Sequence, residues 1–438
     1  MTQKNRDIIQ KEALNALKEN NGGCVVLGTG VGKSKVAIDY IKQSKASNIL
    51  ITSPRTTLKD NWKNELEKWG IQRYSGENPC SYIYNKHKCF ITIENIQTCY
   101  KWTKKQLENF DLIIADEAHT LVSEEYGKLI INAKKLRISI VGLTATPDDK
   151  KIEKKLFYQK YCPIVYTYLD GATDGIINKR KYIVYEHYLN DTFLTEVKVK
   201  NKSWFTGELK QYKYIESQIN KGKAAIRGVL EIPDNNGEPI NYFGIASRWY
   251  FDRNLKDKDK KYAGMLYMRN IQARQSLLWN LNSTKAVAQR MSLTIQEQDE
   301  DSKILIFSSR TEQASNISKY CIHSKNKSDV NTKYLEHFNA GYIRQLGSCY
   351  SLTLGLNLIN AKYGIMESYN GSDVQFKQKG GRFDRLHIKD NALLIIIVVK
   401  DTQGEVWFNN SIEFGEQDEV TVVNNMRDFN ESLINYLN

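Results

Sequence analysis

The chain has 438 residues, more than one compact domain usually holds, and 41% are hydrophobic, enough to build cores and to exclude wholesale disorder. A formal net charge of +13 favours a polyanionic partner once a phosphate-handling site stands beside it. Seven cysteines without a C-x-x-C pair argue against a disulfide framework or zinc ribbon and fit a reducing compartment. The polar N-terminal residues lead into no apolar stretch, so no signal peptide is expected. The longest apolar run, Ala392–Val399, is far shorter than a membrane span. The expected protein is cytoplasmic, without a membrane partner.

In chain order, strand-like apolar runs fall at Cys24–Leu27, Asn48–Thr52, Cys89–Ile93, Leu112–Ala115 and Ile138–Leu143. Helical stretches fall at Ser34–Gln43 and Thr57–Trp69, the latter with Leu58, Trp62, Leu66 and Trp69 at three-to-four spacing for packing on a sheet. Alternation of this kind predicts a parallel α/β sheet. At Tyr182–Leu189, Ile183, Tyr185, His187 and Leu189 alternate as in a strand that opens a second sheet. An excursion over about 195–260, rich in Lys, Tyr and Gly, matches no motif. Residues 261–297 read as helical, with Met265, Met268, Ile271, Leu278 and Leu281 approximating one face. A second α/β block follows: Ile304–Phe307, a helix near Gln313–Tyr320, then strands at Gln345–Ser348, Tyr363–Glu367 and Leu393–Val399. Asn424–Leu437 reads as a terminal helix. The expected organisation is an N-terminal lobe over 1–160, a second lobe over 161–410 with the insertion, and a helical tail over 411–438.

The chemistry concentrates in short segments. Gly28-Thr29-Gly30-Val31-Gly32-Lys33-Ser34 follows a strand and opens a helix, the context of a phosphate-binding loop. Small residues let backbone N–H groups and the helix N-terminus face phosphates. Lys33 would reach the β/γ-phosphates of ATP and Ser34 would ligate Mg²⁺. Leu27 stands where the strict pattern has its first glycine. Leu112–Ala115 then runs into Asp116-Glu117-Ala118-His119, adjacent carboxylates at a strand end. Asp116 would sit near the metal, and Glu117 would polarise the attacking water as a general base.

Asp-Glu-Ala-His is a signature of the DEAD/DEAH-box superfamily two helicases, and the chain resembles that family from residue 6 to residue 385, in a form closer to its DNA-repair, restriction and phage-recombination branches. The resemblance implies two tandem RecA-like parallel-sheet lobes with ATP at their interface. It implies that Gln10 reads the adenine and that His119, Thr144 and Thr146, the threonines within a T-A-T-P element, couple ATP state to the nucleic-acid site. Arg55 and Thr92 fall in segments resembling strand-contacting elements of the first lobe. Leu352-Thr353-Leu354-Gly355-Leu356-Asn357 resembles an element touching both nucleic acid (Thr353) and nucleotide (Gly355, Asn357). Gln378 to Arg385 resembles Q-x-x-G-R-x-x-R, in which Gln378 is catalytic and Arg382 and Arg385 close on the γ-phosphate as arginine fingers.

The expected activity is a nucleic-acid-stimulated ATPase with ATP and Mg²⁺ as cofactors. It would move along or unwind a strand, with DNA favoured over RNA. The alternative is an ATP-gated nucleic-acid-binding subunit of a restriction, defence or replication complex, which would add protein partners. The sequence holds no identifiable wedge, nuclease or zinc module. The basic and aromatic residues of the excursion (Lys202, Trp204, Phe205, Lys210, Tyr212, Lys213, Tyr214) suit base stacking and phosphate binding, or equally a partner surface.

Overall fold

Strand β1 (Gly23–Leu27) is buried along its whole length, as a central strand of a parallel sheet covered on both faces must be. It belongs to an eight-stranded sheet with β2 (Asn48–Ser53), β3 (Gln72–Arg73), β4 (Ser81–Tyr84), β5 (His87–Asn95), β6 (Leu112–Asp116), β7 (Ser139–Thr144) and β8 (Ile164–Tyr168). The order is β3-β4-β5-β2-β6-β7-β1-β8. All neighbours run parallel except β3-β4 and β4-β5, which form an antiparallel edge. The computed structural model describes the chain apart from residues 1–4, 55–56, 75–79, 146, 148–151, 170–173, 175, 177–179, 200, 233–239, 350–360, 370–391, 413 and 415–417.

An unforeseen helix, Arg6–Glu19, precedes the sheet. Asn5 caps it, its side chain accepting from Ile8 N at 3.0 Å, and Ile9, Ala13, Leu14 and Leu17 face the core. The helices Lys33–Ser44 and Thr57–Lys68 lie where the apolar spacing predicts them.

The second sheet combines β9 (Arg180–His187) with β12 (Ile304–Ser308), β13 (Cys321–Ile322), β14 (Gln345–Cys349), β15 (Tyr363–Met366), β16 (Ala392–Val399) and β17 (Glu419–Val423). Its order is β13-β14-β12-β15-β16-β9-β17, parallel throughout. Every residue of β16 is buried, which accounts for its uninterrupted apolar run. Residues 411–438 are not a purely helical tail. β17 adds an edge strand to β9, and the helix Met426–Leu437 buries Phe429 and Leu433 on the sheet.

The excursion between the sheets is built from β10 (Leu194–Val199) and β11 (Lys202–Gly207), an antiparallel hairpin, and from the helices Glu208–Val229, Tyr242–Phe251 and Lys258–Leu278. These helices have their own core, including Ile215, Ile219, Ala246 and Met268. A side chain at Gly222 would meet the Tyr267 backbone at 2.9 Å, so two of them touch there almost backbone to backbone. Residues 261–297 are two helices, not one, broken at Trp279–Leu281 before Asn282–Gln298. The break has a cause. Buried Glu208 accepts from Asn282 N (2.6 Å) and Ser283 N (3.3 Å), capping the second helix from outside. The Ser283 hydroxyl in turn bonds Nε2 of buried His187 at 2.8 Å.

Candidate ATP site

The loop after β1 is held from three sides. Gly28 N donates to Tyr168 O of β8 at 2.9 Å, and Val31 is buried beneath the loop. Gln10, on the first helix, donates from Nε2 to Val31 O at 2.8 Å. Gly30 and Gly32 have φ of +87° and +106°, conformations that glycine adopts without strain. A Cβ on Gly32 would stand 2.3 Å from Gln10 Nε2, so a side chain there would push the Gln10 amide away from the loop. Gly32 begins the helix Lys33–Ser44 without a side-chain cap, leaving its N-terminal N–H groups turned to the loop, an arrangement suited to an anion. Leu27 needs no glycine: it is the last residue of β1 and lies in the core. Lys33 folds back on this position, its Nζ 3.4 Å from Leu27 O, a long bond that a phosphate could replace.

Asp116 ends β6, in the same sheet and at the same edge. Its Oδ1 accepts from Glu117 N and its Oδ2 from the indole Nε1 of Trp62, both at 3.0 Å. Burial first, then the charge of Glu117, raises its carboxyl to about 6, against the opposing pull of Trp62 and Lys33. Trp62 is the residue that sequence reasoning undervalued. Its place in an apolar stripe is correct, yet a buried indole N–H needs an acceptor, and here the acceptor is a candidate metal ligand. Glu117 lies in the left-handed region at φ +51°, uncommon for a non-glycine residue. Its buried Oε2 makes no hydrogen bond but lies 3.4 Å from His119 Nδ1. His119 Nδ1 is in turn 3.1 Å from the hydroxyl of Thr144, buried at the end of β7. The D-E-A-H segment thus touches the start of the T-A-T-P element directly.

The segments flagged for strand contact meet one another. Gln97 Nε2 donates to Pro54 O at 2.9 Å, and Lys59 pairs with Glu94. Thr92 is mid-strand in β5, opposite Leu50 of β2 and half-buried. Ser34 is half-buried in the first turn of its helix. Arg55, Thr146, Thr353, Gly355, Asn357, Gln378, Arg382 and Arg385 lie outside the described residues.

At the corresponding edge of the second sheet, buried Glu367 follows β15. Its Oε1 accepts from Thr284 Oγ1 at 2.6 Å and Gln313 Nε2 at 3.1 Å. Burial raises its carboxyl above the usual range, opposed by hydrogen bonds from Thr284, Gln313, Ser368 and Ser308.

Two nucleotide-motor families match the chain, one in each sheet. The family described as type III restriction enzyme, res subunit, matches residues 4–149, and the helicase conserved C-terminal domain matches residues 285–387. The DNA 3'-5' translocase XPB2 of Sulfurisphaera tokodaii is 26% identical over 408 residues, 90% of this chain and 81% of the relative. The Bacillus subtilis ATP-dependent helicase YqhH is 23% identical over 252 residues, 54% of this chain and 44% of that protein. Among solved structures, S. cerevisiae Dbp5 bound to RNA and ADP BeF3 shares the fold with a TM-score of 0.54 at 11% identity, covering 98% of this chain and 93% of that one. The chain belongs to the superfamily two helicases, with two RecA-like lobes. It is an ATP-hydrolysing enzyme of the helicase and translocase class. Among the described residues no helix is long and apolar enough to cross a membrane.

Proposed function

We propose that the chain is a motor on DNA, driven by ATP hydrolysed between its two lobes. One observation carries the site assignment: a glycine loop with an uncapped helix N-terminus and a lysine shares one sheet edge with adjacent half-buried carboxylates. In this reading Gln10 holds the adenine, while the backbone of Gly28, Thr29, Gly30, Val31 and Gly32, with Lys33, cradles the phosphates. Asp116 and Ser34 would hold Mg²⁺. The donor set fits the ion: two neighbouring acids, one pushed up to about 6 by burial and its neighbour's charge, gain from a cation beside them. The bound ion would neutralise phosphate charge.

Glu117 orients and polarises the attacking water through its otherwise unbonded oxygen. His119 and Thr144, with Thr146, relay the state of the nucleotide toward the strand. From the second lobe, Arg382 and Arg385 with Gln378 close on the γ-phosphate, and Gly355 and Asn357 complete the nucleotide site. Arg55, Thr92 and Thr353 grip the strand. DNA as substrate follows the XPB2 relative. That the seven cysteines form no disulfide supports a cytoplasmic setting, where other subunits of a DNA-processing complex would be its partners.

The test is ATP turnover with single-stranded DNA, duplex DNA or RNA. Stimulation by DNA, lost in Lys33→Ala, is expected. Undiminished turnover in Lys33→Ala would sink the site assignment, and stronger stimulation by RNA would sink the choice of DNA.

A further inference from the structure

The hairpin β10–β11 pairs in register from Leu194 opposite Gly207 to Val199 opposite Lys202. It joins neither large sheet among the described residues. A two-stranded hairpin alone is marginal in water, so its order must come from its base. That base is firmly tied. Asn282 Nδ2 donates to Leu194 O at 2.7 Å, Glu208 N to Phe193 O at 3.1 Å, and Lys210 N to Asp191 Oδ1 at 2.9 Å. The buried carboxylate of Glu208 fixes the same junction to the helix Asn282–Gln298.

Two large aromatics project from this mount into solvent. Trp204 is 47% and Phe205 68% exposed. As successive residues of one strand they point to opposite faces. Trp204 lies across from Val197, whereas Phe205 shares its face with half-exposed Leu194. Tyr212, grouped with them in sequence, has another role: it is buried, and its hydroxyl accepts from Gln403 N at 3.0 Å. Charges interleave with the aromatics. Lys198 pairs with Glu196 on its own strand at 2.9 Å, while Lys202 has no acidic partner among the described residues. Lys198 also feels the charge of Glu312, in the helix that follows β12. The base of the hairpin stands at the strand-end edge of the second sheet, because Asn282, which holds Leu194, opens the helix whose Thr284 bonds Glu367.

A protein partner would call for one contiguous apolar patch, but here the apolar surface is split between two faces and interrupted by charge. A blade two strands wide with an aromatic on each face instead suits two unpaired bases, one stacked on each side. Bases are free on both sides only where a duplex ends. We infer that the β10–β11 hairpin parts the two strands of the nucleic acid, with Trp204 and Phe205 each stacking on the first unpaired base of one strand and Lys202 beside the phosphates. The inference rests on the motor reading above and adds the step from movement to unwinding.

The test uses the full chain, a forked DNA duplex with single-stranded arms of both polarities, and the double variant Trp204→Ala/Phe205→Ala. Stacking is worth roughly 1–3 kcal/mol per base, so displacement should fall about tenfold or more. ATPase stimulated by single-stranded DNA should stay within about twofold, because both side chains belong to the hairpin and not to the ATP loop. Trp204→Phe/Phe205→Trp should restore displacement. Fluorescence of 2-aminopurine at the first unpaired positions should be quenched by the wild type and not by the alanine variant. Wild-type displacement by the alanine variant would overturn the inference, as would parallel loss of its ATPase. So would a wild type that hydrolyses ATP on DNA but never opens the fork. Absence of DNA stimulation in the wild type would overturn the motor reading itself, a distinct failure.

Discussion

Both sheets end a central strand in a carboxylate, but the two have opposite surroundings. In the first sheet Asp116 and Glu117 stand side by side near Lys33 and His119, with the backbone of Glu117 at φ +51°. In the second sheet Glu367 is met by the neutral donors Thr284 and Gln313, which come from helices on either side of β12 in sequence. A carboxylate enclosed by neutral donors ties elements together, and its burial favours the protonated form. A strained acid beside a second acid and a lysine is costly unless something else binds there. The two groups differ as a brace differs from a reaction site.

The largest expected effect separates them by chemistry. Glu117→Gln keeps the shape but removes the base, and should lower DNA-stimulated ATPase by about 10²–10⁴-fold with little change in Tm. Glu367→Gln should leave ATPase within about twofold. Its stability at neutral pH should hold or rise, because the raised carboxyl gains nothing from ionising in the folded state. Equal ATPase losses in the two glutamine variants would erase the distinction.

Truncation should then reverse the order of damage to the fold. Glu367→Ala strands the Thr284 hydroxyl and the Gln313 amide without their acceptor and opens a cavity, at a cost of about 3 kcal/mol by urea unfolding. Glu117→Ala removes an acid held in the left-handed backbone region beside a second acid, and should cost less than about 1 kcal/mol. A larger loss for Glu117→Ala would mean that this acid braces the fold as well.

The reaction edge was legible in the sequence and the brace was not, for a physical reason. A phosphate loop demands small residues at fixed spacing, and a strand ending in two acids stands out against its apolar run, so residues 28–34 and 116–119 can be read directly. Central strands such as β1 and β16 announce themselves by continuous burial. Long-range pairings leave no such trace. Glu367 meets Thr284, 83 positions away, and Trp62 meets Asp116, 54 away, through side chains that look ordinary in sequence. The β10–β11 hairpin turns near Asn201 without an Asn-Gly or Asp-Gly signal, and so reads as featureless polar chain. β17 is a short edge strand with Val420 and Val422 exposed, and its partner β9 lies more than 230 residues earlier; only the fold pairs them.

His187 offers the smallest effect and a second check on what neutral surroundings do. It ends β9, where Nε2 bonds the Ser283 hydroxyl, and Ser283 N in turn donates to Glu208. Burial pushes its imidazole down to about 4. The unfolded chain, with an ordinary value of about 6.5, therefore binds the extra proton as the solution is acidified. The contribution to stability is complete above pH 6.5 and is lost progressively as pH falls toward 4. Between pH 7.5 and pH 5 this linkage amounts to on the order of 2 kcal/mol. His187→Gln keeps a polar partner for Ser283 but cannot titrate, so its urea midpoint should fall less steeply over that interval than the wild type's. Superimposable pH profiles would show that His187 is solvated as it charges. The junction that mounts the insertion on the second sheet would then be looser than the bracing around Glu367.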